Sequence, residues 1–347
     1  IGRSVINGND ATFDPAKLKP AVFTLVAVEE PENSLSPHYL GRIVSALTDL
    51  VNKDDAQALI ATHAPSMLYR VEPENIRYLR LSKARQTQVT RIEMPLSTDE
   101  AHKFVREAIK AFPELYFSRL VVLGEGDSEE IVLPRLLKAK GSPVDEFAIS
   151  VVPLGGRHIN HFWRLLTTLD IPFITLLDLD LARHQGGWGR IKYVNDQLKK
   201  YNPNEQLPSN FGIPKWNNDE YVLLKYQHYL EELETRGVFF SSPMDLDFAM
   251  LKRFPMAYEL DKSDRVLPDD SKIKAVLGDS YHGVEQYNKS EQKLFITYHK
   301  RFKLGSKPAT HINALSKLSD KKLLTKMPQS LHRLADAVIA KLAELPE

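Results

Sequence analysis

"LVVLGEGDSEEIVLPRLL" (Leu120–Leu137) runs four apolar residues into Glu125, Asp127, Glu129 and Glu130, then resumes apolar residues at helical spacing. An apolar, β-branched run that ends in glycine and acids and passes into an amphipathic stretch predicts a buried strand followed by a helix that packs back on it. The pattern repeats downstream. "RLVVLG" reads as a strand, "DSEEIVLPRLLKAKG" as a helix closed by Gly141, "FAISVVPL" as a strand and "HINHFWRLLTTLD" as a helix; "IPFITLLDLDL" is a third strand and "GVFFSS" a fourth, leading into a helix from about Asp245. Connections of this length between strands predict an α/β fold with a parallel sheet and ligand chemistry at its carboxyl edge.

That edge collects acids. Glu125 follows the first strand and Glu129 lies one helical turn further on. Asp178 and Asp180 end the third strand at i and i+2, which predicts one shared face, and Asp245 and Asp247 follow the fourth with the same spacing. Six carboxylates at one sheet edge repel one another and resist ionisation unless a cation compensates them. Oxygen-only donors suit Mg2+ or Mn2+, and their number suits two ions, which about 4 Å apart can activate water and stabilise a leaving oxygen. Plainer roles stand beside this reading. Glu129 can simply favour a helix N-terminus, Asp245 can be an N-cap and Asp247 a first-turn acid.

The whole chain narrows the options. At 347 residues, 43% hydrophobic and 26% charged, it has ordinary globular composition and length enough for two domains. It contains no cysteine, which excludes disulfides, cysteine-zinc ribbons and thiol chemistry and fits a reducing cytoplasm. No apolar run approaches the roughly 20 residues that span a bilayer, so no membrane partner is expected. The net charge of +1 hides a local bias: between Lys300 and Arg333 nine Lys or Arg face the single acid Asp320, a pattern suited to nucleic acid or to a solvated helical face. The chain opens on Ile1 rather than an initiator Met, and we expect it to be a piece of a longer protein.

The first hundred residues read as another α/β segment. "AVFTLVAV" (Ala21–Val28) is a buried strand that ends in Glu29 and Glu30; "QALIATH" is a second, ending in His63; "NIRYLRLSK" and "TQVTRIEMP" form a hairpin or edge strands. This region resembles the C-terminal half of an ABC-type ATPase domain, with Glu29 and Glu30 matching its Walker B pair, "NSLSPH" its D-loop and His63 its switch histidine. The G-x-x-x-x-G-K-[ST] loop and the ABC signature, which that family places upstream, are absent from the chain. The resemblance therefore implies a remnant whose ATP site is completed only in the whole protein, and homodimers or higher oligomers formed through the ATPase region.

"GEGDSEE", "PLGG" and "LLDLD", in that order, resemble a Toprim domain, and "VVPLGGRHINHFWRLLTTLDIPFITLLDLD" and "GVFFSSPMDLDFAMLKRFP" resemble class 2 OLD (overcoming lysogenization defect) nucleases. An ABC-type ATPase preceding Toprim is that family's arrangement. The resemblance implies a metal-dependent DNA endonuclease regulated by ATP, with a role in phage defence. Glu125, Glu129, Asp178 and Asp180 would serve the first metal site and Asp245 and Asp247 the second. In "LGSKPATHINAL" the resemblance makes Lys307 the lysine that completes the active site; a fixed ammonium there can neutralise charge developing on a phosphate. Arg157, Ser241, Ser242 and His311 are weaker candidate phosphate contacts, Arg157 because it opens a helix after two glycines.

We thus expect an ATPase segment over residues 1–112, a Toprim domain over 113–264 with a helical insertion at about 186–236, and a basic helical region over 265–347. The aromatic stripe of the insertion, from Tyr221 to Leu233, is expected to be core rather than a base-stacking surface. Two alternatives stand: a topoisomerase- or primase-like Toprim enzyme, though no DNA-gate tyrosine domain or cysteine zinc module is found, and a non-catalytic DNA-binding or dimerisation module.

Overall fold

The computed structural model describes residues 23–52, 55–82, 84–92, 94, 106, 110–155, 159–201, 206–208, 211–217, 223–261 and 264–346. These fall into two compact units, one up to Ile76 and one from Arg77 onward.

In the first unit, β1 (Thr24–Glu29) and β2 (Ala56–Ala61) pair in parallel, joined by α1 (Pro37–Val51) and followed by α2 (Pro65–Leu68). Leu40, Val44 and Met67 form its small core. Leu25 and Leu59 are 57% and 60% exposed, so these strands are not the doubly covered strands that their composition predicts. Among the described residues of this unit, two strands and one long helix supply too little surface to cover both faces.

The second unit opens with β3 (Arg77–Leu81) and β4 (Thr87–Arg91), an antiparallel hairpin as expected. Tyr78 packs edge-on against Tyr116, and Arg80 donates to the carbonyls of Ser118 and Arg119. The division between units therefore precedes the hairpin, upstream of the boundary expected at 112. The central sheet consists of β5 (Leu120–Gly124), β6 (Ile149–Pro153), β7 (Phe173–Asp178) and β8 (Val238–Ser241), all parallel, in the order β6-β5-β7-β8. Leu120, Val121, Val122 and Leu123 are completely buried, and each such side chain contributes about 1.5–3 kcal/mol of hydrophobic stabilisation.

α3 (Asp127–Ala139) and α4 (Ile159–Thr168) connect the first three strands; α5 (Trp188–Tyr201) and α6 (Leu223–Glu234) form the insertion before β8. Trp188 stacks on Tyr226 with ring centroids 4.3 Å apart, and both are buried, so these aromatics are core. Tyr221 and Val222 of the expected stripe lie outside the described residues. α7 (Leu246–Arg253) follows β8, and then α8 (Asp270–Leu277), α9 (Lys289–Gln292), α10 (Leu294–Tyr298), α11 (Lys307–Ser316), α12 (Asp320–Lys326) and α13 (Gln329–Ala343) complete the chain. Leu331, Leu334, Ala335 and Val338 of α13 meet Leu133, Leu136 and Leu137 of α3 above Val122. The C-terminal helices are thus part of the sheet's own core.

The strand order places the site. β5 leads outward to β6 on one side, and the chain then crosses back to β7 on the other. A crevice therefore opens at the carboxyl ends of β5 and β7, the switch point where doubly wound sheets bind ligands. No helix among the described residues is long and apolar enough to cross a membrane.

Candidate functional site

All six acids singled out in the sequence lie at or beyond the carboxyl ends of β5, β7 and β8. Gly124 ends β5 because nothing larger fits: a Cβ there would stand 2.3 Å from the Glu129 Cβ. Glu129, at the third position of α3, folds back so that its Oε2 accepts the Gly126 N–H at 2.8 Å. It is 3% exposed, and burial, reinforced by Asp247, pushes its pKa up to about 8. Glu125 precedes the helix and turns towards β7, where its Oε1 accepts the Asp178 N–H at 3.0 Å.

Asp178 is the last residue of β7, and its Oδ1 accepts the Leu246 N–H at 3.2 Å. Burial, then the charges of Glu129, Asp245, Asp180 and Asp247, hold its carboxyl well above the usual range. Asp180 corrects one expectation. It lies past the strand with φ +54°, in left-handed backbone, so strand alternation does not aim it. Arg183 aims it instead, with Nη1 2.6 Å from Asp180 Oδ1. Gly186 is what lets this turn close, because a Cβ there would meet the Asp180 carbonyl at 1.8 Å.

Asp245 caps α7, accepting the Phe248 N–H at 2.9 Å, while its Oδ2 accepts the Tyr298 hydroxyl at 2.5 Å and pairs with Arg183 at 3.1 Å. Asp247 is 1% exposed. His311 Nε2 lies 2.9 Å from its Oδ1, and Lys307 Nζ lies 2.7 Å from its Oδ2 without the alignment of a hydrogen bond. Burial works to raise the Asp247 pKa, but the His311 hydrogen bond and the Lys307 ammonium overcome it and hold the carboxyl well below the usual range. In return, Asp247 raises the Lys307 pKa against the opposing effect of burial.

The phosphate-contact candidates separate. His311 is completely buried, with Nδ1 2.7 Å from the Tyr258 hydroxyl, so both ring nitrogens are engaged and neither faces a ligand. Ser241 pairs in register with Asp178, and its hydroxyl is buried without a partner. Ser242 lines a different cavity, with Lys252, Arg253 and Arg333. Arg157 lies outside the described residues.

Sequence reading missed the cations that organise the acids. Arg183 joins Asp180 to Asp245 and also donates to the Tyr298 hydroxyl at 3.0 Å. Arg190, on α5, forms an ion pair with Glu125, donates through Nε to the Asp178 carbonyl at 3.0 Å and approaches Asp180 Oδ2 at 3.5 Å. The signal was present in "ARHQGGWGR", where two arginines follow the second acidic pair, but its glycines read as loop. Among the described residues, no group of three or more Asp, Glu or His side chains forms a ready metal cage.

In the first unit, the structure brings two of the three ATPase-type residues together. His63 Nδ1 lies 3.0 Å from Glu30 Oε1, and Glu30 adopts left-handed backbone at φ +43°. Glu29 ends β1 with its side chain exposed.

The segment holding the first four acids decides the comparison: residues 116–180 match the model of the overcoming lysogenization defect protein-like TOPRIM domain. These residues are similar to an OLD-like Toprim domain. Its matched span includes Glu125, Glu129, Asp178 and Asp180 and stops before Asp245, Asp247 and Lys307. The chain is 27% identical over 239 residues to Endonuclease GajA of Bacillus cereus (strain HuB5-5), covering 62% of this chain and 33% of that protein. It is also 27% identical over 164 residues to the OLD nuclease of Thermus scotoductus, covering 45% of this chain and 31% of that one. The chain thus spans about a third of the length of the curated relatives that it matches. Among solved structures it is similar to the C-terminal region of the Burkholderia pseudomallei OLD protein, with a TM-score of 0.43 and 15% identity over 65% of this chain and 99% of that one. The corresponding region of the Xanthomonas campestris OLD protein gives a TM-score of 0.39 and 19% identity over 66% and 97%. The fold of the chain is mixed α/β, with a parallel sheet and a helical C-terminal region.

Proposed function

We propose that this chain carries the nuclease centre of a metal-dependent DNA endonuclease that hydrolyses phosphodiester bonds. The observation that carries the reading is the gathering of six acids at the Toprim sheet's carboxyl edge with the Lys307 ammonium set against Asp247. Relatives named as endonuclease and OLD nuclease support it.

The donor chemistry suits divalent cations, although among the described residues the side chains are not gathered into a cage. All donors are oxygen, the acids outnumber Arg183, Arg190 and Lys307, and an Asp247 oxygen is buried without a hydrogen bond. Glu125, Glu129, Asp178 and Asp180 would hold one ion and Asp245 and Asp247 a second. Two Mg2+ or Mn2+ ions would supply electrophilic compensation of the phosphate's charge. The chain's own contribution is positional. Arg183 and Tyr298 fix Asp245, His311 fixes Asp247, and Lys307, 44% exposed along its side chain, can turn towards a scissile phosphate.

The Glu30–His63 contact supports a second assignment, that the first unit is the C-terminal part of an ABC-type ATPase domain whose ATP site is completed in the whole protein, where it regulates cleavage and drives oligomerisation.

Incubating supercoiled plasmid with the protein and Mg2+ or Mn2+ tests the nuclease reading. Nicked or linear product is expected without ATP and should vanish with EDTA, Asp178→Ala or Glu125→Ala; undiminished cleavage by either variant overturns the assignment.

A further inference from the structure

Beside the acid edge lies a second cavity, of about 220 Å3, lined by Tyr258, Glu259, Arg301, Ser306, Thr310 and Asn313. The two sites share a wall. Tyr258 touches His311, whose other nitrogen holds Asp247, and Ser306 directly precedes Lys307.

Donors in and beside this cavity converge on one anion, the Glu259 carboxylate. Arg301 Nη2 lies 2.7 Å from Glu259 Oε2, Lys317 Nζ 2.7 Å from Oε1, and Asn313 Nδ2 donates to Oε1 at 3.3 Å. Ser306, Thr310 and Asn313 line the cavity from the ten-residue helix α11, which Ser306 caps. The guanidinium and amide in the cavity wall, with the Lys317 ammonium on the same carboxylate, form a donor set matched to a phosphate at least as well as to a carboxylate. The carboxylate that occupies it is loosely committed. Its side chain is 43% exposed, and exposed ion pairs contribute little to stability. Its backbone sits at φ +59°, a left-handed conformation uncommon for a residue with a Cβ. The Lys317 hydrogen bond and then Arg301 lower the Glu259 pKa, so it stays charged and competes as an anion. Of the basic residues between Lys300 and Arg333, Arg301 and Lys317 are the two that meet on a single acid in this cavity.

We propose that this cavity binds a backbone phosphate of the nucleic acid, one step along the strand from the reacting centre, and that the Glu259 carboxylate fills it until the phosphate displaces it. The proposal rests on the nuclease reading and names a subsite of that centre. Glu259 then acts as an internal competitor that lowers the affinity of DNA whose phosphate enters the cavity.

Duplex binding measured by fluorescence anisotropy, with Ca2+ in place of Mg2+, tests this. Glu259→Gln should tighten binding by about tenfold, the scale of one charge-assisted contact. Asp320→Asn, which neutralises an acid paired with Arg135 outside the cavity, should change it by less than about threefold, the scale of a screened surface charge. The gain must depend on the cavity, so Glu259→Gln combined with Arg301→Ala should bind no better than Arg301→Ala alone. If Glu259→Gln binds equally or more weakly, or gains no more than Asp320→Asn, Glu259 is only an anchor for α11 and the proposal fails. If the unsubstituted protein cleaves plasmid and binds duplex while Glu259→Gln shows no gain, the subsite alone falls; if it does neither, the nuclease reading falls with it.

Discussion

Lys307 reaches from the first turn of α11 to within 2.7 Å of Asp247, which sits in the first turn of α7. The two residues stand sixty positions apart in the chain, on different helices, and the ammonium is partly exposed while the carboxylate is buried. A cation held this way can change partner without unfolding anything.

Removing it should therefore cost catalysis more than stability. Lys307→Met is expected to slow single-turnover plasmid cleavage by about 100-fold or more, the usual effect of losing a fixed electrostatic stabiliser. Duplex affinity in Ca2+ should fall by only a fewfold, since one of many phosphate contacts is lost. Equal losses in both measurements would place Lys307 in binding alone.

Glu129 gives the metal-free protein a pH dependence. Its pKa rises to about 8 in the folded state, whereas an unfolded glutamate titrates near 4.3. Folding thus favours the protonated form, and this stabilisation is complete below about pH 4 and is lost progressively as pH rises through about 8. The raised carboxyls of Asp178 and Asp180 act in the same direction as Glu129, whereas the lowered pKa of Asp247 and the raised pKa of Lys307 act outside this window. In EDTA, thermal midpoints should fall from pH 6 to pH 8.5, and Glu129→Gln should flatten the slope. Added Mn2+ should release protons at pH 7, measurable from the buffer dependence of the binding enthalpy.

Arg190 neutralises Glu125 from the insertion helix. Arg190→Ala should lower the thermal midpoint in EDTA, because Glu125 loses its counter-charge. Addition of Mn2+ should then raise the midpoint by more than it does in the unsubstituted protein. An equal rise in both proteins would separate Arg190 from the metal locus.

Gly124 stands where Glu129 folds back, so Gly124→Ala must displace one of the two. We expect a loss of about 1–3 kcal/mol in denaturant unfolding, typical of overpacking, together with at least a tenfold drop in cleavage, on the order of one lost positioning contact. Near-normal cleavage would show that the Glu129 position tolerates a shift.

Much of the centre was legible in advance. The acids at Glu125, Asp178 and Asp245 follow apolar runs that can only be strands, and strands alternating with helices dictate a parallel sheet with its ligand edge at the carboxyl ends. Asp245 satisfied its plain reading as a cap without leaving the cluster. The direction of Asp180 was not legible, because period-two alternation ends with the strand and the next residues turn through left-handed backbone. Nor was His311, which as a lone histidine in a basic helix resembles a phosphate contact until its burial between Tyr258 and Asp247 is seen.

The sequence by itself determined the α/β class, the succession of strands and helices along the chain and the supply of carboxylates at one edge, since these follow from side-chain periodicity and local residue type. Only the tertiary structure decided which cation answers which acid: Arg183 for Asp180 and Asp245, Arg190 for Glu125, Lys307 for Asp247, and Arg301 with Lys317 for Glu259. Charge pairing falls off over a few ångströms and carries no sequence period. It is set by which helices the core brings together.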